Sequence, residues 1–230
     1  MASPSPKKGK SPKTTKTPSK KGATSQSTSP KASPSKTYSE IPKRVRDCCA
    51  SWHDVVLKWS KLNELGTTVA NKLVNFRLQK EYNSGEDATN VVVSNDQDSI
   101  KIQEEISKAS EELSRIYGSL ADLLTKMESL VQTFSAIKSL QMSKQNGHVS
   151  SDKSQIFSTW TIEQFSDTSQ RLFDSYCNEL SLKEKLVPEI THCRNRDKLM
   201  VYLSLWLHEP LIQDDNNILL ESMLIEAELR

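Results

Sequence analysis

The segment of this chain whose spacing most resembles a metal-binding motif is Glu-Ile-Thr-His at residues 189–192. A Glu-x-x-His segment places both side chains on one helix face, where di-iron helical bundles use them as metal ligands. Such a centre needs two of these segments and one glutamate from each of two further helices. None of the other histidines, His53, His148 and His208, follows a glutamate by three residues. The sequence therefore predicts no metal site at Glu189 and His192.

The four cysteines are the next candidates for metal binding or reactivity. Cys48 and Cys49 lie close to His53, but adjacent side chains on a helix point about 100° apart and do not readily share one tetrahedral zinc. No two cysteines form a Cys-x-x-Cys pair, so with Cys177 and Cys193 they are expected to be reduced, partly buried thiols. The common nucleotide-binding and hydrolase motifs are absent. We expect a protein without a cofactor or small-molecule substrate that is not an enzyme.

The charge distribution divides the chain near residue 39. Nine of the 31 basic residues precede that point and no acidic residue does, which leaves 22 basic residues against all 29 acidic ones in the remainder. This asymmetry is typical of a regulatory or nucleic-acid-binding tail on an acidic body. Because few apolar side chains offset the entropy of ordering it, the segment 1–40 is predicted to be a disordered basic tail.

Six Ser-Pro or Thr-Pro pairs in the tail are candidate phosphorylation sites: Ser3, Ser5, Ser11, Thr17, Ser29 and Ser33. Ser5, Thr17 and Ser33 also have a lysine three residues later, the pattern that cyclin-dependent kinases prefer. Each phosphate adds about −1.5 to −2 charges, so about five would cancel the charge of the tail. Two alternatives stay open for the tail, a nuclear-import arm and a weak, non-specific contact with nucleic-acid phosphates.

Targeting and membrane signals are also missing from the sequence. The first residues lack the apolar region of a signal peptide. The longest apolar run, residues 199–207, is far shorter than the ~20 residues that span a bilayer. We expect a soluble intracellular protein with no membrane contact.

The body, residues 41–230, is predicted to be all-α because its apolar residues recur mainly at three- and four-residue steps. Two long helices and three shorter C-terminal ones are expected, at about residues 44–80, 100–140, 161–187, 197–208 and 217–229. Gly66 is a possible kink or break in the first helix, and Pro188 is expected to end or bend the third. Thr161 and Gln164 have the spacing of a capping box, and Asn216 or Asn217 is the expected cap of the last helix.

The second long helix has the most regular pattern in the chain. Its apolar residues alternate steps of four and three without interruption: Ile102, Ile106, Ala109, Leu113, Ile116, Leu120, Leu123, Met127, Leu130, Phe134 and Ile137. This five-heptad seam is about 54 Å long and must pack against another helix. We expect a long antiparallel hairpin with the first helix, forming a coiled-coil-like bundle. Tyr117, Leu124 and Val131 widen the seam, which indicates a third helix, and a homodimer stays open.

Aromatic and apolar residues give the candidate core and the candidate partner-binding sites. Trp52 and Trp59 lie seven residues apart on one helical face and are expected in the core. Residues 197–208 form a predicted helix that is apolar on nearly all sides. We expect this helix to be buried or to lie in an interface. The candidate partner-binding residues are Tyr202, Leu205, Trp206, His208, Met223 and Leu224.

Two stretches of the body resemble a known family. Residues 52–59 read Trp-His-Asp-Val-Val-Leu-Lys-Trp and include His53 and Lys58, while residues 202–210 read Tyr-Leu-Ser-Leu-Trp-Leu-His-Glu-Pro. Between them, the Phe-Ser-Thr-Trp segment that ends at Trp160 and the Glu-Leu-Ser-Leu-Lys segment at residues 179–183 fall in matching order. Over residues 44–228 the chain resembles the cyclin-dependent kinase 2-interacting protein family. Its long Ser/Thr-Pro tail departs from the shorter basic N-terminus of that family.

The resemblance implies a nuclear, non-enzymatic adaptor subunit. It implies links to cyclin-dependent kinase and its cyclin, to a second origin-firing kinase and to ATR checkpoint signalling during DNA replication. It also implies membership of a chromatin-associated AAA ATPase complex that acts on replisome proteins and in maturation of the large ribosomal subunit. The ATP chemistry would then lie in the partners. The alternative from another class is a basic-tailed chromatin or nucleic-acid-binding protein whose helical body dimerises it.

Overall fold

A computed structural model describes residues 34–84, 96–145 and 157–230 of the chain. Five helices account for most of them: α1 (Pro34–Ser84), α2 (Asp96–Gln145), α3 (Ile162–His192), α4 (Arg196–His208) and α5 (Asp215–Glu226). These ranges contain no β-strand. The predicted all-α class is confirmed.

Helices α1 and α2 form an antiparallel hairpin. Near the end where α1 finishes and α2 begins, the Nζ atom of Lys72 lies 3.1 Å from Oε2 of Glu105, and Lys80 donates to Gln103 at 2.6 Å. The heptad seam of α2 is buried along the hairpin, with Leu113, Leu120 and Met127 completely inaccessible and only Leu130 partly exposed. With 50 residues α2 is about 75 Å long, and burial of its seam is what holds it against α1.

Helix α3 packs on α2 and supplies the third helix that the widened seam predicts. The rings of Phe134 on α2 and Phe165 on α3 are stacked with their centroids 6.2 Å apart. At the surface, Nζ of Lys138 lies 2.9 Å from Oε1 of Glu163. The capping box at the start of α3 is confirmed, since Gln164 N donates to the Thr161 hydroxyl at 3.3 Å and Thr161 N donates to the Gln164 side chain at 2.7 Å.

Two expected helix interruptions do not occur. Helix α3 runs through Pro188 and ends at His192. Pro188 has no backbone N–H, so the carbonyl of Glu184 lacks its helical hydrogen bond. Both residues are exposed, so water can donate to that carbonyl. The completely buried Ile190 holds the last turn of the helix against the core. Helix α1 likewise runs through Gly66. The helix is therefore not broken at Gly66, which gives room to a side chain from α4.

The ends of two helices also differ from the expected positions. Helix α1 begins at Pro34, before the expected start near residue 44, and proline is well tolerated in a first turn. Helix α5 begins at Asp215 with Asp214 as its N-cap residue. Asn216 therefore lies inside the first turn and is buried, where it accepts from the Ser175 hydroxyl at 3.4 Å.

The two C-terminal helices complete the bundle. Helix α4 packs against α1 and α3, and α5 packs against the same two helices. The end of the chain is held on α1, because Arg46 Nε donates to the carbonyl of Ala227 at 3.2 Å and the Arg46 guanidinium also pairs with Glu228. Within the described ranges, no helix has the length and apolarity to cross a bilayer.

Candidate partner-binding surface

Helix α4 has two apolar sides with different surroundings. Its inner side carries Leu199, Leu203 and Trp206, all buried against α1 and α3. Its outer side carries Met200, Val201 and Leu207, which are 49%, 55% and 49% exposed. A helix that needed only to fold would place polar residues on that outer side. The outer side of α4 also carries the exposed Ser204 and His208, but it includes apolar surface that the bundle does not cover.

Helix α5 repeats this arrangement. Leu220, Met223 and Leu224 are buried, whereas Ile218 and Ile225 are 65% and 57% exposed. Seven of the thirteen large apolar side chains that are exposed in the described residues lie in the last 31 positions. Helices α4 and α5 do not contact each other, so we define the C-terminal apolar surface as the exposed side chains of α4 alone, Met200, Val201 and Leu207. Neighbouring exposed apolar side chains of this kind can mark an interaction site.

The structure places three predicted partner-binding residues in the core instead. Trp206, Met223 and Leu224 are buried, which corrects the prediction that their side chains dock a partner. The Trp206 indole packs on Gly66 of α1, so closely that a Cβ atom at Gly66 would lie 2.6 Å from Cζ2 of the indole. Only glycine allows α1 and α4 to approach in this way.

The other three partner-binding candidates lie nearer the surface. Tyr202 and Leu205 are half-buried, and His208 is exposed at the end of α4. Tyr202 and Leu205 are partly covered by the bundle, whereas His208 belongs to the outer side of the helix. The surface therefore includes more exposed residues, Met200, Val201 and Leu207, that the sequence analysis did not select. The sequence alone contained no signal to select them, because apolar residues occur on both sides of α4.

Beneath α4 lies a buried polar cluster around Lys183. Its Nζ atom donates to Asn63 Oδ1 at 2.7 Å and to the Trp206 carbonyl at 3.1 Å. The same atom lies 3.3 Å from Glu179 Oε1 and 3.4 Å from Glu209 Oε1. Lys183 and Glu179 are completely inaccessible to solvent, so the ammonium group depends on these partners.

The two glutamates of the Lys183 cluster fix the turn after α4. Glu209 has a left-handed backbone with φ 44°, and its carboxylate accepts from Trp59 Nε1 at 2.7 Å. Burial raises the pKa of Glu209, while Lys183 and the Trp59 hydrogen bond act in the opposite direction. Glu179 Oε2 accepts from the backbone of Leu211 at 3.1 Å. The cluster thus joins α1, α3 and the end of α4, and it fixes which side of α4 faces outward.

Helix α5 is held by a second carboxylate. Glu226 accepts from the Thr159 hydroxyl at 2.8 Å, from Trp160 N at 2.7 Å and from Thr159 N. Burial raises the pKa of Glu226, but the hydrogen bonds from Thr159 and Trp160 outweigh it and leave the pKa below its usual value. The half-buried Trp160 is thereby fixed at the entrance to α3.

The remaining predicted residues divide between core and surface. Trp52 and Trp59 are buried, and Trp52 Nε1 donates to the Ser169 hydroxyl at 2.9 Å. His53 is half-buried beside Arg230, and Lys58 is exposed. The tail candidates Ser3, Ser5, Ser11, Thr17, Ser29 and Ser33 lie outside the described residues.

The described residues include possible metal ligands and four free thiols. No three His, Cys, Asp or Glu side chains in the described ranges are placed to hold a metal ion. Cys48 and Cys49 are free and buried. Burial raises the pKa of Cys48, and it raises the pKa of Cys49 to about 12, so neither thiol ionises readily.

Comparison with curated proteins decides the family. The chain is 32% identical over 191 residues to the cyclin-dependent kinase 2-interacting protein of Homo sapiens, covering 80% of this chain and 88% of the human protein. It is 32% identical over 189 residues to the Xenopus laevis protein of the same name, with the same coverage of both chains. The chain belongs to the cyclin-dependent kinase 2-interacting protein family. No family model matches it.

The stretches that resemble the cyclin-dependent kinase 2-interacting protein family meet at the Lys183 cluster. The first stretch contributes Trp59 and the nearby Asn63, the middle one Glu179 and Lys183, and the last one Trp206 and Glu209. Residues that are far apart in the sequence therefore form one buried structure. In this chain, the role of these motif residues in the cluster is to stabilise the fold and to set the orientation of α4.

Proposed function

We propose that this chain is a non-enzymatic nuclear adaptor that binds a cyclin-dependent kinase complex through its C-terminal apolar surface. The observation that carries the proposal is the outer side of α4, where Met200, Val201 and Leu207 are about half exposed above a completely packed inner side. Such a surface favours association with another protein, because covering it removes apolar area from water.

The relatives support the choice of partner. Their name states that they interact with cyclin-dependent kinase 2, and this chain covers 88% of their length. We transfer that interaction to this chain as a proposal. The six Ser/Thr-Pro pairs of the tail support it independently, because proline-directed kinases modify such pairs. The absence of nucleotide and hydrolase motifs supports a role in binding.

The experiment compares matched surface variants for binding to purified cyclin-dependent kinase 2 with its cyclin. Met200→Ser combined with Leu207→Ser is expected to weaken binding of the full chain by about tenfold or more, since interface cores carry most of the affinity. The control combines Leu57→Ser with Leu65→Ser, two leucines of α1 that are 46% and 47% exposed. Equal affinities of the two variants, or no binding by the wild type, would contradict the proposal.

The finer assignments come from the family resemblance. We propose that the adaptor is a subunit of a chromatin-associated AAA ATPase complex and acts in DNA replication, checkpoint signalling and large ribosomal subunit maturation. Affinity purification of the tagged full chain from nuclear extract, followed by mass spectrometry, tests this. Stoichiometric AAA ATPase subunits are expected with the wild type. Their absence would leave the kinase interaction as the only supported part.

A second candidate function rests on the charge of the tail. Nine lysines without an acidic residue before position 39 favour contact with nucleic-acid phosphates. Replacement of these lysines by glutamine would then abolish DNA binding, and the affinity of the wild type would fall steeply with salt. Salt-independent binding, or binding that survives the replacement, would exclude this role for the tail.

A further inference from the structure

The outer side of α4 begins beside a group of basic residues. Arg194 precedes the helix, and Arg196 and Lys198 lie in its first turn. All three are exposed. We call these residues the basic end of α4. Met200 follows Arg196 by four positions, so the basic end and the apolar side lie next to each other on one helix surface.

The positive charge of the basic end is poorly compensated within the chain. The side chains of Arg196 and Lys198 make no ion pair with any described residue. Arg194 is 81% exposed, and its Nε lies 3.7 Å from Glu81, a distance at which an exposed pair contributes little. A partner could therefore pair with all three side chains without first breaking a strong internal ion pair.

A fourth cation lies behind this group. Nε of Arg77 on α1 is buried and has no hydrogen-bond partner in the described part of the chain. Burial lowers the pKa of Arg77, and the nearby charge of Arg194 lowers it further. Two guanidinium groups, those of Arg77 and Arg194, therefore lie near each other here, and Glu81 faces both.

The acidic residues nearby do not balance these cations. Asp197 lies in the first turn of α4, Glu81 on α1 faces both Arg77 and Arg194, and Glu189 on α3 faces Tyr202. The N-terminus of α4 adds the partial positive charge of its free backbone N–H groups. In a body with 22 basic and 29 acidic residues, this corner is locally positive.

From this combination we infer that the outer side of α4 binds an acidic amphipathic helix of a partner protein. The apolar side chains of that helix would cover Met200, Val201 and Leu207, and its carboxylates would pair with Arg194, Arg196 and Lys198. A nucleic acid would meet the same charges but would leave the apolar side chains in water. The inference rests on the proposed function and names the chemical class of its partner.

Two designed peptides test the charge of the partner. Both have eighteen residues with leucines at helical spacing; the first has glutamate at its polar positions and the second has lysine at the same ones. The acidic peptide is expected to bind the full chain at least about tenfold more tightly than the lysine peptide, with an affinity that falls as salt rises. Equal binding of both peptides, or of neither, would overturn the inference.

Matched variants then locate the contact. Arg196→Glu combined with Lys198→Glu is expected to weaken binding of the acidic peptide by about tenfold or more. The control combines Arg171→Glu with Lys185→Glu, two exposed positions of α3 that change the net charge equally. Melting temperatures of both variants should match the wild type, since all four side chains are exposed. Equal loss in both variants would assign the effect to net charge and contradict the inference.

Two further outcomes separate this inference from the proposed function. If Met200→Ser with Leu207→Ser abolishes kinase binding while neither peptide charge nor charge reversal matters, the adaptor surface stands and the acidic class is wrong. If a single-stranded oligonucleotide binds the basic end and the acidic peptide does not, the corner is a nucleic-acid site and the inference is overturned.

Discussion

Gly66 and Trp206 show how one residue without a side chain determines the position of a helix. The indole occupies the space above Gly66 and is completely buried, so it has no room to move away. A methyl group added at Gly66 would have to displace the indole or separate α1 from α4. Close-packed cores resist such changes because their side chains already fill the space.

We therefore predict that Gly66→Ala destabilises the protein by about 1–3 kcal/mol through overpacking. Gly118 on α2 provides the control, because a Cβ atom there meets nothing within 4 Å. Gly118→Ala should stabilise the protein by about 0.5–1 kcal/mol through helix propensity. Chemical denaturation of the two variants measures both effects. A stabilising Gly66→Ala would show that the contact with Trp206 is looser than described.

The Lys183 cluster makes a second prediction about single residues. Lys183→Met removes the only cation from a buried group that includes two carboxylates, Glu179 and Glu209. Leaving Glu179 buried without its partner should cost about 3–5 kcal/mol of unfolding free energy. Lys185→Met, at an exposed position two residues later, should change the stability by less than about 0.5 kcal/mol. Equal stabilities in a denaturation experiment would contradict this account of the cluster.

Sequence reasoning foresees only part of what single residues do. The burial of Trp52 and Trp59 follows from their helical spacing, which places both on an apolar face. The burial of Lys183 does not, because charged residues are usually exposed and its partners come from distant parts of the chain. Asn63 is 120 positions away from Lys183, and no local pattern reports a contact of that kind.

At the scale of elements, local patterns were most informative where they were long. The heptads of α2 predict a buried seam and a helical partner, and both are present because eleven regularly spaced apolar residues dominate local preferences. Pro188 shows the opposite case. Its intrinsic preference is to end a helix, but the burial of Ile190 in the next turn holds the helix together.

The link between α5 and the start of α3 gives a prediction about pH. The pKa of Glu226 is lowered in the folded state, so its ionised form stabilises the fold above the usual glutamate pKa of about 4.3. As the pH falls through the lowered folded-state pKa, the carboxylate becomes protonated and that stabilisation is lost. Wild type should therefore be more stable than Glu226→Gln at neutral pH, and the difference should shrink in acid. Thermal unfolding of both proteins from pH 7 to pH 3 measures this difference.

A difference between the two proteins that stays constant over this pH range would contradict the role of the Glu226 charge. It would indicate that the glutamine variant is destabilised by geometry alone. A local readout strengthens the test, because hydrogen exchange at Thr159 and Trp160 should increase in Glu226→Gln, where their amides lose a charged acceptor.

At the scale of the whole molecule, the bundle combines a closed core with one apolar outer side. The hairpin of α1 and α2 with α3 forms the frame, and the Lys183 cluster fixes α4 on it. This frame leaves Met200, Val201 and Leu207 outward, next to the basic end of the same helix. The sequence predicted that α4 is buried or in an interface, and the structure shows one buried side and one exposed side with apolar residues.

The side of α4 that meets a partner could not be predicted from the sequence alone. Because α4 is apolar nearly all round, its hydrophobic pattern has no direction, and the packing of Trp206 on Gly66 is what distinguishes inside from outside. The family resemblance supplied the class of protein. The geometry of a tightly packed glycine and a buried lysine was needed to find the candidate surface.

The most direct test of this account is photo-crosslinking of the full chain to purified cyclin-dependent kinase 2 with its cyclin. A photoreactive phenylalanine derivative would replace Val201 on the outer side of α4 or, as the control, Leu57 on α1. Both side chains are about half exposed, so neither replacement should disturb the fold. The account predicts a covalent link to the kinase complex from position 201 and none from position 57. A link from position 57 alone, or from neither position, would contradict the claim that α4 is the docking helix.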